Sequence, residues 1–332
     1  ESLDTIRILR LYPAQSHSDP LEFDLEHRAR SELLIDCSES TMHYNAVSYV
    51  WGTPVFSHLI RSRQQTAYLK ITPSVDSFLR QFRKKTSPLL LWVDAICLDQ
   101  KNDDEKSEQV PLMGEIYSQA RKVRIWLGEG NENTNKVFKF LSLVAVMKRK
   151  NGTLSHALFM EALFKIFASE SVQVLEGILC DPWFGRRWII QEAVLGHSVI
   201  VHQGSHKISW ELFTEGLIAL LDVVSDLQLS DVGRYSLIST NTMLSARTRD
   251  ILDCLWDFDK NVCSDERDRL FALYGFTPSS NTNDQGAPPA VEYNHSWPEV
   301  YSDFAALTIE KKGLSSILPH LIAFGGLSES NP

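Results

Sequence analysis

Apolar positions change their period twice between Leu89 and Gly128, a segment of about forty residues. Leu89 to Ile96 is apolar throughout except for Asp94, the pattern of a strand covered on both faces. After a polar, acidic loop, Val110, Met113, Ile116, Tyr117 and Ala120 recur at helical spacing. Ser107 is placed to cap that helix, with Pro111 in its first turn. Val123, Ile125 and Leu127 then form a second strand. Strand, helix and strand in so short a span predict one crossover unit of a parallel sheet.

The same reading extends in both directions. Ala46, Val47, Tyr49 and Val50 predict a short strand closed by Trp51-Gly52, and Thr72-Pro73 opens a helix with Val75, Phe78, Leu79 and Phe82 on one face. From Gly130 to about Cys180 the periodicity is helical (Val137, Phe140, Leu141 and Val144, then Leu158, Ala162, Leu163 and Ile166), which predicts a helical insertion at about 130–180. Asp181-Pro182 starts a further helix, Trp183 to Leu195, that Gly196 ends, and Ser198 to His202 is the next strand, followed by a turn at Gly204. Trp210 to Gly275 reads as helices with polar linkers. Thr5–Leu11 and Glu32–Cys37 read as a peripheral edge hairpin. Four short apolar strands alternating with helices predict an α/β fold with a doubly wound parallel sheet, whose ligands bind beyond the carboxyl ends of the strands. That brings Ser48–Gly52, Asp94–Gln100 and the segment after Leu127 to one crevice.

Composition narrows the partners. The 332 residues are 43% hydrophobic and 23% charged, ordinary for a globular chain with a sizeable core. With 33 basic against 42 acidic residues the formal charge is −9, which argues against nucleic acid as the main partner. Five scattered cysteines with apolar neighbours predict free thiols in a reducing, cytosolic compartment. No apolar run reaches the ~18 residues of a membrane span, and the amino end lacks a secretory pattern. The chain opens on Glu1 rather than methionine, so it is expected to be a piece of a longer polypeptide. The absence of a phosphate-loop or GxGxxG pattern disfavours P-loop and conventional dinucleotide enzymes.

Several side chains stand where chemistry is possible. At about 100° per residue, Phe184, Trp188, Gln191, Glu192 and Leu195 share one third of a helix circumference, so Glu192 sits among aromatic and aliphatic neighbours. A carboxylate so placed is partly desolvated and is a candidate functional acid, the alternative being an ion pair with Arg186 or Arg187. Trp51, Tyr49 and Trp92 lie near strand ends where a planar ring could stack, or else pack the core. Asp94 and Asp99 could position a ribose or water, or could hold backbone at a strand end. Asp103–Lys106 reads as a solvated helix approach, and Asp265, Arg267 and Asp268 as an ion-pair network. His197, His202 and His206 have no carboxylate or cysteine at metal-ligand spacing, so no metal is expected, and no histidine accompanies Cys97 as a nucleophile's base.

These words also carry a resemblance. WVDAICLDQ with EKSEQVPLMGEIYSQARKVRIWLG, preceded by YNAVSYVWG and followed by WFGRRWIIQEAVLG and DERDRLFALYGF, resembles the fungal HET (heterokaryon incompatibility) domain over about Tyr44 to Ala305. That domain in turn resembles TIR domains, a flavodoxin-like fold. The strand and helix pattern predicts an amino-terminal β-extension at 1–43 and a helical part at 211–332 around a core at 44–210, which the resemblance implies is TIR-like. Trp188-x-x-x-Glu192 looks like the spacing that carries the catalytic acid of NAD-cleaving TIR enzymes. The resemblance implies NAD as substrate, with no separate cofactor. It implies Glu192 as the catalytic residue, with Trp188 beside it and the Ser48, Tyr49, Trp51 and Gly52 segment resembling the first TIR strand and its loop; Asp94 and Asp99, placed at the same crevice by the strand reading, complete the candidate substrate-binding set. It also implies self-association and an upstream recognition partner or flanking domain in programmed cell death. A non-enzymatic assembly module of the same fold is the alternative.

Overall fold

The computed structural model describes residues 5–33, 43–64, 67–151, 169–221, 229–276 and 291–324. The segment that pairs with Thr5–Leu11 is Glu22–Ala29, not the predicted Glu32–Cys37, whose described start lies in a 3-10 turn, Arg30–Leu33; its remainder and the apolar repeat around Leu158–Ile166 lie outside the described residues. Two compact units interleave along the chain: the first comprises residues 1–98, 118–184 and 196–241, the second 99–117, 185–195 and 242–332.

All nine strands among the described residues belong to the first unit: β1 (Thr5–Leu11), β2 (Glu22–Ala29), β3 (Asn45–Tyr49), β4 (His58–Ser62), β5 (Tyr68–Ile71), β6 (Leu89–Trp92), β7 (Lys122–Trp126), β8 (Val199–Gln203) and β9 (His206–Ser209). They form one sheet in the order β5-β4-β2-β1-β6-β3-β7-β8-β9. Its heart is parallel, as predicted: β3 pairs with β6 and β7, and β7 with β8. Numbered among themselves these four strands run 2-1-3-4, the order in which flavodoxin-like sheets begin. All five residues of β3 are buried, the polar Asn45 and Ser48 along with Ala46, Val47 and Tyr49, as expected for a strand covered on both faces.

The sheet as a whole is mixed rather than parallel, which corrects the sequence expectation. Short connections enforce the reversals: a Gly204 turn with φ of 55° folds β9 back antiparallel on β8, and the segment after Leu11 folds β2 back on β1. Nor is β1 peripheral. It lies between β2 and β6, antiparallel to both, with Leu9 opposite Leu91, and Ile8 and Leu9 are wholly buried.

Helices cover this sheet where the apolar faces predict them. In α1 (Pro73–Phe82), Thr72 caps the Val75 amide, Pro73 occupies the first turn, and Val75, Phe78, Leu79 and Phe82 are buried. One turn, α2 (Asp94–Cys97), follows β6 directly, so Asp94 opens a helix instead of lying within the strand. The insertion supplies α5 (Glu132–Asn151) and α6 (Ser169–Leu179), and α5 packs on α8 (Trp210–Leu221). Trp183, Phe184, Trp210 and Phe213 fill the space beneath with ring centroids 5.0–6.2 Å apart. The first unit also holds most of α9 (Asp231–Met243).

The second unit contains α3 (Asp103–Gln109), most of α4 (Met113–Gln119), α7 (Ile189–Leu195), α10 (Ile251–Asp257), α11 (Asp268–Tyr274), α12 (Trp297–Lys312) and α13 (Leu314–Phe324). Two boundaries differ from the sequence reading. The acidic segment is itself helix α3, capped by the Asn102 side chain on the Glu105 amide, with Asp103, Asp104 and Glu105 at the positive end of the dipole. Ser107 is therefore mid-helix and Pro111 sits in a separate 3-10 turn. The predicted helix Trp183–Leu195 is likewise split into a 3-10 turn, Pro182–Gly185, and α7. The break lets Arg186 bridge Val262 and lets the Arg187 amide donate to the Val262 carbonyl at 2.8 Å. The Arg187 side chain, 1% exposed, then donates to the carbonyls of Phe258 and Arg269, the latter at 2.8 and 3.1 Å. Among the described residues no helix is long and apolar enough to cross a membrane.

Candidate functional site

In the first unit the strand order reverses between β3 and β7, and their carboxyl ends flank the position where such sheets take ligands. Each strand leaves the sheet through a left-handed glycine, Gly52 at φ 69° and Gly128 at φ 79°, where any side chain would be strained although the space is open. Between them Trp51 is 39% exposed, and its indole N–H donates to Asp94 Oδ2 at 2.8 Å. Asp94 Oδ1 accepts from the Ala95 amide at 2.7 Å, which fixes the carboxylate at the start of α2. Two residues that sequence singled out separately are thus one unit, an aromatic plate held by a carboxylate. Glu129, just past Gly128, accepts from Ser77 Oγ on α1, and Ser74 Oγ donates to the Val50 carbonyl at 3.3 Å. An edge with an exposed indole, two carboxylates and two hydroxyls suits a planar ring joined to a polyhydroxylated sugar.

Ser48 and Tyr49 sit deeper. Ser48 is 1% exposed and its hydroxyl accepts from the Trp183 indole N–H at 2.7 Å, while Tyr49, also 1% exposed, packs edge-on to Phe78 at 4.8 Å. These side chains shape the strand beneath the edge. Trp92, wholly buried, belongs to the core. Trp51→Ala is expected to weaken binding of an aromatic ligand at least tenfold while lowering stability by less than ~2 kcal/mol, because a partly exposed ring loses less burial than a core aromatic. Denaturant melts and ligand titration of the same variant check this; a core-sized stability loss with unchanged affinity would assign Trp51 to packing.

Glu192, Trp188 and Asp99 belong to the second unit. Glu192 lies on α7 and is 1% exposed, so the predicted desolvated position holds although the helix begins later than expected. Next to it, Gln191 fits with its amide nitrogen donating to the Ala272 carbonyl at 3.2 Å and its oxygen accepting from the Gly114 amide at 2.6 Å. That contact ties α7 to α11 and α4. Asp99 is exposed, and its carboxylate accepts from the Lys101 amide at 3.0 Å as a turn residue ahead of α3.

Trp188 reaches a residue that sequence placed elsewhere. Its indole N–H donates to Asp268 Oδ2 at 2.9 Å, and the Tyr293 hydroxyl donates to Oδ1 at 2.6 Å. Asp265 and Arg267 do pair, at 2.5 Å, but Asp268 stands outside that ion pair, which corrects the expected three-residue network. Burial raises the Asp268 carboxyl to about 6, against the pull of its two donors. The same burial pushes the Tyr293 hydroxyl far above its ordinary range, so it remains a donor. The guanidinium of Arg267 lies 5.0 Å and the ammonium of Lys106 5.3 Å from the centre of the Tyr293 ring. The signal for Asp268 in sequence was its place just before the buried run Leu270–Tyr274.

Asp268 has a pH consequence with a definite sign. Its unfolded carboxyl titrates near 3.8 and its folded one at about 6, so the folded state keeps the proton to higher pH. Its stabilising contribution is complete below the unfolded value and is lost as pH rises through about 6. Asp268→Asn is expected to flatten the stability–pH profile in that window, measured by denaturant unfolding at several pH values. An unchanged slope would show that the carboxyl is ionised throughout.

Among the described residues no group of three histidine, cysteine, aspartate or glutamate side chains could hold a metal ion. His202 instead packs on Phe82 at 4.8 Å, with burial and then Arg124 driving its pKa down to about 3. Burial pushes the Cys97 thiol up to about 12, far from a reactive thiolate.

Comparison with known proteins gives two findings. Residues 44–192 match the family described as Heterokaryon incompatibility protein (HET). Heterokaryon incompatibility protein 6, OR allele, of Neurospora crassa is 27% identical over 277 residues, covering 72% of this chain and 40% of the relative. The chain thus spans about two fifths of that curated relative's length. No solved structure matches it.

Proposed function

We propose that this chain, which carries a HET domain over residues 44–192, acts in fungal non-self recognition leading to cell death, as a cytoplasmic, TIR-like NAD glycohydrolase. The observation that carries the enzymatic part is Glu192, a carboxylate 1% exposed on α7 four residues after Trp188. The exposed Trp51 plate with Asp94 at the flavodoxin-like switch point supports a nucleotide ligand. In the reaction the bond between C1′ and the nicotinamide nitrogen breaks, and its electron pair leaves with neutral nicotinamide. The ribosyl cation left behind is stabilised electrostatically by the Glu192 carboxylate. Water adds to C1′ and releases a proton, giving ADP-ribose. Chemistry of this kind needs a fixed negative charge near the ribose and no metal.

A second reading has its own observation. The sheet ends on β5, whose Tyr68 is 64% exposed, beside β4 with Leu59 58% exposed and the preceding Phe56 57% exposed. An apolar sheet edge is suited to pairing with another copy, the property of a homotypic assembly module relaying an upstream recognition partner. One experiment separates the readings: the purified chain is incubated with NAD at low and high protein concentration, and nicotinamide and ADP-ribose are measured. Nicotinamide release supports the enzyme, and release per molecule that rises with concentration adds assembly as its activator. Concentration-dependent association without any release leaves the assembly module alone.

A further inference from the structure

At the opposite end of the parallel strands, where β3, β6 and β7 begin, a cavity of about 500 Å³ is lined by Arg10, His43, Lys84, Arg121, Lys122 and Arg124. Among the described residues no carboxylate lines it. Arg10 is neutralised by Glu26, whereas Lys84, Arg121, Lys122 and Arg124 have no carboxylate partner among the described residues. In a chain of net charge −9 this is a local reversal of sign.

Solvated lysines at strand starts would be unremarked, but Arg124 is partly buried. Its Nε is sealed from solvent with no hydrogen-bond partner, and so is Nδ1 of His43 on the same wall. The Arg124 guanidinium lies 4.9 Å from the centre of the Phe82 ring, and its Nη1 is 3.3 Å from Nε2 of His202. A neutral imidazole and an aromatic face orient the cation without cancelling its charge. A half-buried cation that no carboxylate among the described residues compensates is costly to keep, and an anionic ligand removes that cost. The volume matches small-molecule sites and exceeds what a single inorganic phosphate fills.

We propose that this cavity binds a small molecule bearing two or more linked phosphoryl groups, with Arg124, Arg121, Lys122 and Lys84 as the cationic wall. The site lies at the amino edge of the sheet and is independent of the carboxyl edge and of NAD cleavage. The phosphate chain is the shared chemistry; it is carried equally by inorganic polyphosphate and by nucleoside di- or triphosphates.

Calorimetric titration of the whole chain at fixed ionic strength tests this, with pyrophosphate, tripolyphosphate, ATP and sulfate as probes. The expected result is saturable 1:1 binding of the polyphosphates, sulfate at least tenfold weaker, and a rise in melting temperature on saturation. Tighter binding of ATP than of tripolyphosphate would identify a nucleotide as the ligand, and equal binding the phosphate chain alone. The double variant Arg121→Gln/Lys122→Gln is expected to weaken binding at least tenfold, and Lys84→Gln, at an exposed position of the same wall where folding is not threatened, to weaken it severalfold. Absent or unsaturable binding, or wild-type affinity in both variants, would overturn the proposal.

Discussion

Glu192→Gln is expected to reduce release of nicotinamide from NAD by on the order of 10²–10³-fold, the loss typical when a preorganised charge facing the reacting centre is removed. The substitution keeps the size and planarity of a side chain that is 1% exposed, so packing on α7 is preserved and the melting temperature should stay near wild type. Both measurements are needed together. Inactivity in a folded variant assigns the charge to the reaction, and retained turnover removes Glu192 from it. A variant that unfolds assigns the carboxylate to holding the second unit.

The largest loss of stability is expected at Arg187. Its guanidinium is the polar centre of the second unit, satisfying the carbonyls of Phe258 and Arg269 from a position 1% exposed. Arg187→Met retains most of the apolar stem but strands two buried acceptors, each worth ~1–3 kcal/mol when orphaned. With the lost packing, the expected cost is about 3–5 kcal/mol in denaturant unfolding. Arg187→Lys should recover little, because a single ammonium cannot reproduce a fork reaching two carbonyls. A cost below ~1 kcal/mol for either variant would mean that water replaces the fork.

How much of this was legible in sequence followed from how local each feature is. The β6–helix–β7 unit and the parallel core were readable because a two-face-buried strand has no polar alternation to confuse it, as in Leu89–Trp92. The place of β1 was not, since TIRILRL reads identically on an edge or between two neighbours, and only the partner at Leu89–Leu91 decides. Strands β2, β4, β5 and β9 were missed altogether, because each buries a single residue, Phe23, Ile60, Ile71 and Ile208, among charged and exposed neighbours, too little to set a period. The break before α7 was hidden by Phe184, Trp188, Gln191 and Leu195, which keep helical spacing across a segment that leaves the helix to meet Val262. At the sites, Trp51, Asp94, Trp188 and Glu192 were each visible, but their bonds were not. The Trp51–Asp94 contact joins residues 43 apart and Trp188–Asp268 residues 80 apart, and no local pattern encodes such pairings.

The central place of β1 also sets an order of events during synthesis. Leu9 must wait for Leu91, about 80 residues later, before its second edge is closed. At translation speeds of ~5–20 residues per second that is roughly 4–16 s. Through that interval the β1–β2 hairpin leaves the ribosome with one row of amides and carbonyls open to any strand nearby. Nascent chains on neighbouring ribosomes offer the same open row, so crowding of translating ribosomes on one message is where this fold is most exposed to mispairing.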